Sequence, residues 1–433
     1  MKTRKESKLD IRNLSVNNIM CHEINILSHG NRYLRIGTKP KEDFNMIRKK
    51  ALRLGIAMVF TLSSVLALYG TGLAGSPEAK EISIITHDVG SQAFIFTAGI
   101  AGAVQTVAGI QTRIIPSGTD VGKMLALRGG EVTFALLPGS AMWFASHGTG
   151  DFATTEWGPQ KVRMGWRGQD LLIGFYTRGN SGIKKLSDLK GKRVPQVVGS
   201  VSLSNLIKGG LAFGGLSLSD CRVMNVSGLG AMGKAVNEGS ADFTNFGTTG
   251  TPPIEMASRP GGIHWFDLDP NDKAAWERLW EFCPYTDVGL ADRYAGKEQG
   301  IKPFHVLSYP YVITAMETTS DKIIYTYAKA MWESYDIYKA KHVELPHWSH
   351  ENLARTNGCF YPYHEALVKF MKEKGIWTSE HDKFQQQQLD NEAKRITLWK
   401  EALKEAESKK IRAGSREFQD FWWNKLSKAG LLR

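Results

Sequence analysis

Short apolar strands alternate with helix-like segments in two stretches of the chain, and this alternation constrains the fold more than any other sequence feature. Residues 81–137 contain predicted strands at 81–86, 112–115 and 132–137, separated by predicted helices at 92–108 and 121–128. Residues 193–246 repeat the pattern, with strands at 193–198, 222–226 and 242–246 and helices at 203–213 and 231–237. Strands connected through helices usually run parallel in one sheet. The sequence therefore predicts an α/β fold with mainly parallel sheets.

The two stretches resemble each other, which indicates two similar lobes. The segment SGTDVGKMLALRGGEVTFALLPGS (117–140) aligns with SGLGAMGKAVNEGSADFTNFGTTGT (227–251), so that Lys123 matches Lys234 and Glu131 matches Asp242. The apolar segments 171–177 and 306–315 would be the crossover strands between the lobes. We therefore expect lobe 1 at 80–173, lobe 2 at 174–305 and a return to lobe 1 at 306–378.

The end of the chain is predicted to be helical. Helices are expected at 322–341, 363–374 and 384–410, and residues 379–433 would form a C-terminal helical extension. The run QQQQ (385–388) lies inside the last helix. Low-complexity disorder is the alternative for that run, but Phe384, Leu389, Trp399 and Leu403 give the segment a partly apolar helical face.

The start of the chain carries an export signal behind a polar segment. Four basic residues between positions 48 and 53 precede an apolar run at 54–69, and Gly72 and Ala74 supply the small residues of a cleavage site. We expect cleavage after Ala74, so that residues 46–74 are a signal peptide and the mature protein is periplasmic. A transmembrane anchor is the alternative, but the run is shorter than the ~20 residues that a span needs. Residues 1–45 are interpreted as a disordered upstream extension, with translation starting at Met46.

Much of the net positive charge belongs to this leader, which argues against nucleic-acid binding. Residues 1–75 hold 13 Lys and Arg against 5 Asp and Glu, whereas the whole chain has a formal charge of +12. The basic stretch KKLSDLKGKR (184–193) is interrupted by Asp188 and continues into a predicted buried strand. We therefore expect a solvated loop there and no nucleic-acid partner.

Glycine followed by a hydroxyl residue recurs where predicted strands end. The pattern occurs as VGSQ (89–92), PGSA (138–141), VGSV (198–201) and GTTGT (247–251). A helix that begins at such a turn presents free N–H donors and a partial positive charge, which hold anions. Ligands of open α/β sheets bind at the carboxyl ends of the strands, so these turns predict a site for a small carboxylate between the lobes. Plain helix capping by the serines is the alternative.

Arg167 and Gln169 are further candidates, in GWRGQDLLIG (165–174) just before the first crossover. An arginine at this position would fix the orientation of a ligand carboxylate through a bidentate pair. An exposed loop arginine is the alternative. If the first interpretation holds, Arg167 matters more for ligand binding than Lys190 does.

Catalytic and cofactor motifs are present only in part. GLGAMG (228–233) has the GxGxxG spacing, but the next strand ends without the acidic residue that dinucleotide binding requires. HWSHE (347–351) has neither zinc-protease order, so its histidines are expected at the surface or the edge of the core. Cys221, Cys283 and Cys359 have no metal-ligand spacing and would permit one disulfide. No cofactor, no metal and no enzymatic activity are expected.

The segment SGIKKLSDLKGKRVPQVVGS (181–200) resembles the start of the second lobe of type II periplasmic solute-binding proteins, specifically the TAXI family of TRAP transporter receptors. Further similar segments follow in the family's order: NEGSADF (237–243), YAG (294–296) and FYPYHEALVKFMKEKGIW (360–377). The similarity covers roughly residues 80–375. It implies the type II periplasmic binding protein fold and an exported receptor that closes two lobes on a small organic acid. The receptor would deliver this acid to the permease subunits of an ion-gradient-driven TRAP transporter, and we expect it to be a monomer.

The resemblance also implies where the ligand-binding loops lie. By position they fall on Gly90, Ser91, Gln92, Thr119, Asp120, Ser140, Ser200, Ser202, Thr248, Thr249 and Thr251. DVGSQAFIFT (88–97) lacks the aromatic pair of the family's usual turn, and GSVS (199–202) stands where the family has GSGT. Glutamate-like, 2-oxo-acid and aromatic acid ligands therefore all remain open. A binding protein of an ABC transporter or a sensor, or less readily an enzyme on the same fold, is the rival function.

Overall fold

The computed structural model describes residues 80–432. The predicted upstream extension, signal peptide and alternative membrane anchor lie outside the described residues. Between residues 80 and 432, no helix is both long and apolar enough to cross a membrane.

The first alternating stretch forms parallel strands covered by helices. Its elements are β1 (Glu81–Thr86), α1 (Gln92–Ala108), β2 (Gln111–Pro116), α2 (Asp120–Arg128), β3 (Phe134–Pro138) and α3 (Gly139–His147). β1 lies between β2 and β3 and pairs in parallel with both. α1 ends at Gly109, whose φ of 66° lies in the left-handed region that favours glycine. The strands and helices thus follow the sequence prediction closely.

The second alternating stretch begins after a long strand, β4 (Val162–Arg178). It contains β5 (Arg193–Val197), α4 (Val201–Phe213), β6 (Arg222–Val226), α5 (Leu229–Asn237), β7 (Thr244–Gly247) and α6 (Thr251–Ala257). Three elements that the sequence did not predict complete it: β8 (Ile263–Phe266), α7 (Lys273–Trp280) and β9 (Asp287–Ala291). β5 and β6 pair in parallel.

The chain returns through β10 (Phe304–Met316) and ends in helices. These are α8 (Asp321–Tyr338), α9 (His350–Leu353), α10 (Glu365–Glu373), α11 (Ser379–Ser408) and α12 (Arg416–Lys428). The predicted helices at 322–341, 363–374 and 384–410 correspond to α8, α10 and α11. The glutamine run lies inside α11, so the alternative of a disordered segment is wrong.

The two long strands make the main sheet mixed, where the sequence predicted mainly parallel sheets. The strand order is β2-β1-β3-β10-β4-β7, with β8 paired to β4 and β9 to β10. β10 is antiparallel to β3, β4 and β9, and β4 is antiparallel to β7 and β8. β4 leads away from the first stretch and β10 leads back, so they run in opposite directions. β4 extends over 17 residues, well beyond the predicted 171–177, because β10 pairs with it from Val162 onward.

The elements on either side of β4 and β10 form two bodies. The first body consists of residues 80–161 and 317–378, because α8 packs on α1 and α10 packs on α8. The second body consists of residues 179–303, where α7 packs on α4. The described residues 80–432 nevertheless belong to one compact unit. The predicted lobe limits at 173/174 and 305/306 fall inside unbroken strands and remain predictions.

The C-terminal helices α11 and α12 add a separate apolar cluster. Trp399 and Ala402 of α11 pack there against Phe418 and Trp422 of α12. The indole N–H of Trp422 donates to the carbonyl of His147 at 3.0 Å. The extension is therefore attached to α3 of the first body.

Candidate functional site

A small cavity lies between the two bodies, at the carboxyl ends of β1, β3 and β7. Its volume is about 30 Å³, which is room for one or two water molecules. Polar groups in its wall come from His87, Ser91, Gln92, Ser140 and Asn245. Apolar groups come from Leu171, Ile173, Leu203, Leu206, Leu229 and Phe246. A mixed lining of this kind suits a small solute with a polar group and an apolar part.

The turn after β1 brings two of the predicted residues to this cavity. Its Gly90 has a φ of 85°, which glycine adopts without the steric cost that other residues meet. Ser91 caps α1, with its Oγ accepting from the N–H of Phe94 at 3.2 Å, as the capping alternative expected. Gln92 is buried, and its side-chain amide donates to the hydroxyl of Thr249 in the second body.

The start of α2 meets the second body directly. Thr119 caps α2 by accepting from the N–H of Gly122 at 3.2 Å. Asp120 is fully buried, and its Oδ2 accepts from Ser200 Oγ at 2.7 Å and from the N–H of Ser202 at 3.2 Å. The hydroxyl of Ser202 donates to the same oxygen. The sequence prediction made these residues ligand contacts, whereas the structure joins them to one another.

Two buried basic side chains beside the cavity were missed by the sequence prediction. Lys123 is fully buried, with its Nζ 2.8 Å from Nδ1 of His87 and 3.5 Å from Oδ1 of Asp120. Burial lowers the pKa of Lys123, and the nearby carboxylate of Asp120 opposes that shift. Burial, and then the charge of Lys123, lower the pKa of His87 well below its usual range. In the sequence, Lys123 was marked by its match with Lys234 in the two similar segments. That match did not show which of the two lysines is buried.

The end of β7 supplies the second body's side of the cavity. A Cβ at Gly247 would clash with the side-chain amide of Gln92, so glycine leaves the room that this amide occupies. Thr248 is buried, and its N–H donates to the carbonyl of Leu172 at 3.1 Å. The N–H of Thr251 donates to the carbonyl of Gly90 at 3.2 Å, which ties the two turns together.

Asn245 stands out among the residues of this cavity. Its side chain is 1% exposed, and neither its nitrogen nor its oxygen has a hydrogen-bond partner within residues 80–432. A buried amide without partners costs roughly 1–3 kcal/mol. An amide in this position is ready to donate to and accept from a bound solute.

Arg167 and Gln169 do not line the cavity. Both are buried on β4, so Arg167 is not an exposed loop residue. Its guanidinium donates to the carbonyl of Gly168 at 2.7 Å and pairs with Asp170 at 2.5 Å. The carboxylate of Asp170 thus binds the guanidinium that the sequence prediction had assigned to a ligand.

The partial motifs have structural roles. In GLGAMG the N–H of Gly230 donates to Oδ2 of Asp88 at 2.9 Å. In HWSHE the ring of His350 stacks on Trp332, with centroids 3.6 Å apart. Cys221, Cys283 and Cys359 are all free thiols, so the disulfide that the sequence permitted does not form. Burial raises the pKa of Cys283 to about 12.

Solved structures with low sequence identity resemble the chain. The periplasmic binding protein BugD is 12% identical, with 75% of this chain and 97% of that chain covered and a TM-score of 0.46. The periplasmic aliphatic sulphonate binding protein SsuA from Escherichia coli is 15% identical, with 73% and 86% covered and a TM-score of 0.34. The substrate binding protein of an amino acid ABC transporter is 11% identical, with 60% and 96% covered and a TM-score of 0.36. None of these similarities identifies the solute of this chain.

Sequence comparison gives a clearer assignment. No curated protein is significantly similar to the chain. The family model described as NMT1-like matches residues 84–375, which is most of the part that the structure describes. The match contains the second body, the two joining strands and all but the first four and last three residues of the first body. This chain belongs to the NMT1-like family of periplasmic binding proteins.

Proposed function

We propose that the protein is an exported receptor that takes up a small organic acid between its two bodies and delivers it to a TRAP-type membrane transporter. The observation that carries the proposal is the composition of the cavity. Its wall contains the buried amide of Asn245, which has no hydrogen-bond partner within residues 80–432. The buried Lys123 lies behind His87, a residue of the wall. Family membership supports solute binding. The order of the family-like segments supports the TRAP type.

The polar groups divide between the two bodies in a way that suits an acid. His87, Ser91 and Ser140 belong to the first body and Asn245 to the second. A solute carboxylate would lie near His87. The ammonium group of Lys123 contacts the imidazole of His87, so its positive charge would lie close to the carboxylate. The rest of the solute would pack against Leu171, Leu203 and Phe246 and bury its apolar surface there.

Uptake requires the bodies to move apart. A cavity of about 30 Å³ is smaller than a ligand pocket for an organic acid. β4 and β10 connect the bodies, so a change in these two strands would open the cavity by hinge motion. Binding and release would follow closure and opening, with no catalytic step.

The proposal is tested by the thermal stability of the purified full chain with L-glutamate, 2-oxoglutarate and phenylpyruvate, and with glutaramide, the diamide of glutaric acid, as the control without a carboxylate. At a hundredfold excess over its dissociation constant, a true ligand adds roughly 2.7 kcal/mol to the free energy of unfolding. We expect one of the acids to raise the melting temperature and glutaramide to have a smaller effect. An equal effect of glutaramide, or no effect of any acid, would contradict the proposal.

The variant Asn245→Leu tests the site. Leucine has a similar volume and removes an unpaired buried amide, so the free energy of unfolding should not decrease without solute. The stabilisation by the acid should fall at least severalfold, because the solute loses both amide contacts. Asn357→Leu, outside the cavity wall, serves as the matched control. An unchanged stabilisation in Asn245→Leu would show that the solute does not reach this amide.

A further inference from the structure

Three carboxylates of the first body accept hydrogen bonds from the second body. The most buried is Asp120, whose Oδ2 accepts from Ser200 Oγ at 2.7 Å and from the N–H of Ser202 at 3.2 Å. Ser202 is the second residue of α4, so the carboxylate lies where the helix presents free N–H donors. The protein's own side chain therefore occupies the place that the sequence prediction gave to a ligand carboxylate.

The second contact has the same form at the next helix. Asp88 follows β1, and its Oδ2 accepts from the N–H of Gly230 at 2.9 Å. Gly230 is the second residue of α5. The backbones are close at this point, since a Cβ at Gly228 would lie 2.7 Å from Cα of Gly118.

The third contact is reached through Thr249, the partner of Gln92 in the cavity wall. Glu344 is 1% exposed, and its Oε2 accepts from Nε of Arg293 at 3.1 Å. Its Oε1 accepts from the hydroxyl of Thr249 at 3.3 Å, and Thr249 accepts in turn from Gln92. Both oxygens of this carboxylate are therefore held by the second body.

We propose that Asp88, Asp120 and Glu344 form a latch that holds the two bodies closed. In each of these hydrogen bonds to Asp88, Asp120 and Glu344 the carboxylate belongs to the first body and the donor to the second, so none of them survives when the bodies separate. Opening therefore breaks all three contacts in one event and leaves Asp120 with Lys123 of its own body. The inference concerns the balance between open and closed conformations, and it does not depend on the identity of the solute.

Amide hydrogen exchange of the full chain, measured by mass spectrometry without solute, tests the latch. Asp120→Asn keeps the size of the side chain and removes its charge, which weakens a charge-assisted hydrogen bond to a neutral one. We expect exchange to become about tenfold faster in segment 200–204 and also in segment 228–232, where Asp88 holds Gly230. Asp188→Asn is the control, because Asp188 accepts from the N–H groups of Lys184 and Lys185, which belong to its own body.

The two segments separate a latch from a local cap. Faster exchange only in segment 200–204 would mean that Asp120 merely caps α4, and the latch would be overturned. The reciprocal variant Asp88→Asn must accelerate exchange at Ser202, so the test stands even if Asp120→Asn fails to fold. Gly228→Ala is a third test of the latch, since its Cβ would push the bodies apart without changing any charge. Exchange should become faster in both segments of this variant. Failure of the acid screen would leave these outcomes unaffected.

Discussion

Lys123 illustrates how much a single residue depends on its surroundings. Lys123 and Lys234 occupy matching positions in the two similar segments, yet Lys123 is fully buried whereas Lys234 is largely exposed and lies 3.7 Å from Glu238. Lys123 contacts Asp120 one turn away on α2 and His87 just after β1, all three within the first body. At the residue scale, the similarity of the two segments therefore cannot show which of the two lysines is buried and contacts His87.

Replacing Lys123 leaves Asp120 without its cation in a buried position. We expect Lys123→Met to lower the free energy of unfolding by about 3 kcal/mol, because an unpaired buried charge is costly. Lys234→Met should stay within about 0.5 kcal/mol of the wild type, as most surface substitutions do. Urea denaturation of both variants checks this. Equal losses in the two would show that Lys123 and Asp120 do not stabilise each other.

At the scale of elements, the C-terminal helix α11 is attached to the start of β4 by a buried ion pair. Arg163 donates to Glu392 at 2.7 and 3.0 Å through its two terminal nitrogens, and both side chains are at most 8% exposed. The sequence predicted the helix from its partly apolar face. It did not predict that a charged residue of this helix would be buried.

We expect Glu392→Ala to cost roughly 3–5 kcal/mol, because Arg163 would lose its main partner and stay buried. Glu401→Ala on the exposed side of α11 is the matched control and should change stability little. Urea denaturation measures both effects. A loss below about 1 kcal/mol in Glu392→Ala would mean that the extension is held by its tryptophan cluster alone.

At the scale of the whole molecule, buried neutral histidines make stability depend on pH. Burial and the charge of Lys123 lower the pKa of His87, and burial and the charge of Arg395 lower the pKa of His147. Below about pH 6.5 the unfolded chain therefore binds more protons at these two residues than the folded chain does. Their contribution to stability is complete above pH 6.5 and decreases as the pH falls from there toward the folded pKa values.

We expect the free energy of unfolding to fall between pH 6.5 and 5.5 by up to ~1.4 kcal/mol per pH unit for each of the two histidines. His147→Gln should make this slope shallower, whatever its effect on absolute stability. Urea denaturation at several pH values measures the slope. An identical slope of the free energy of unfolding against pH in the variant would show that His147 has the same pKa in the folded and the unfolded chain.

Most of the fold could be predicted because hydrophobic periodicity is a local property. β1, α1 and β6 begin and end where the pattern predicted, and α10 and α11 lie within a few residues of the predicted helices. β8, α7 and β9 were not predicted, because their short segments are defined by pairing with β4 and β10 and by packing on α4. The full length of β4 was missed for the same reason.

The sequence by itself determined the alternation of strands and helices, the glycine turns at the strand ends and the similarity to a family of binding proteins, since each depends on neighbouring residues. The tertiary structure alone decided which polar groups meet. It paired Arg167 with Asp170, buried Lys123 beside His87, and placed Asp120 on the helix that the sequence had reserved for a ligand. Buried charges and hydrogen-bonding groups need partners, and the identity of those partners depends on how distant segments pack.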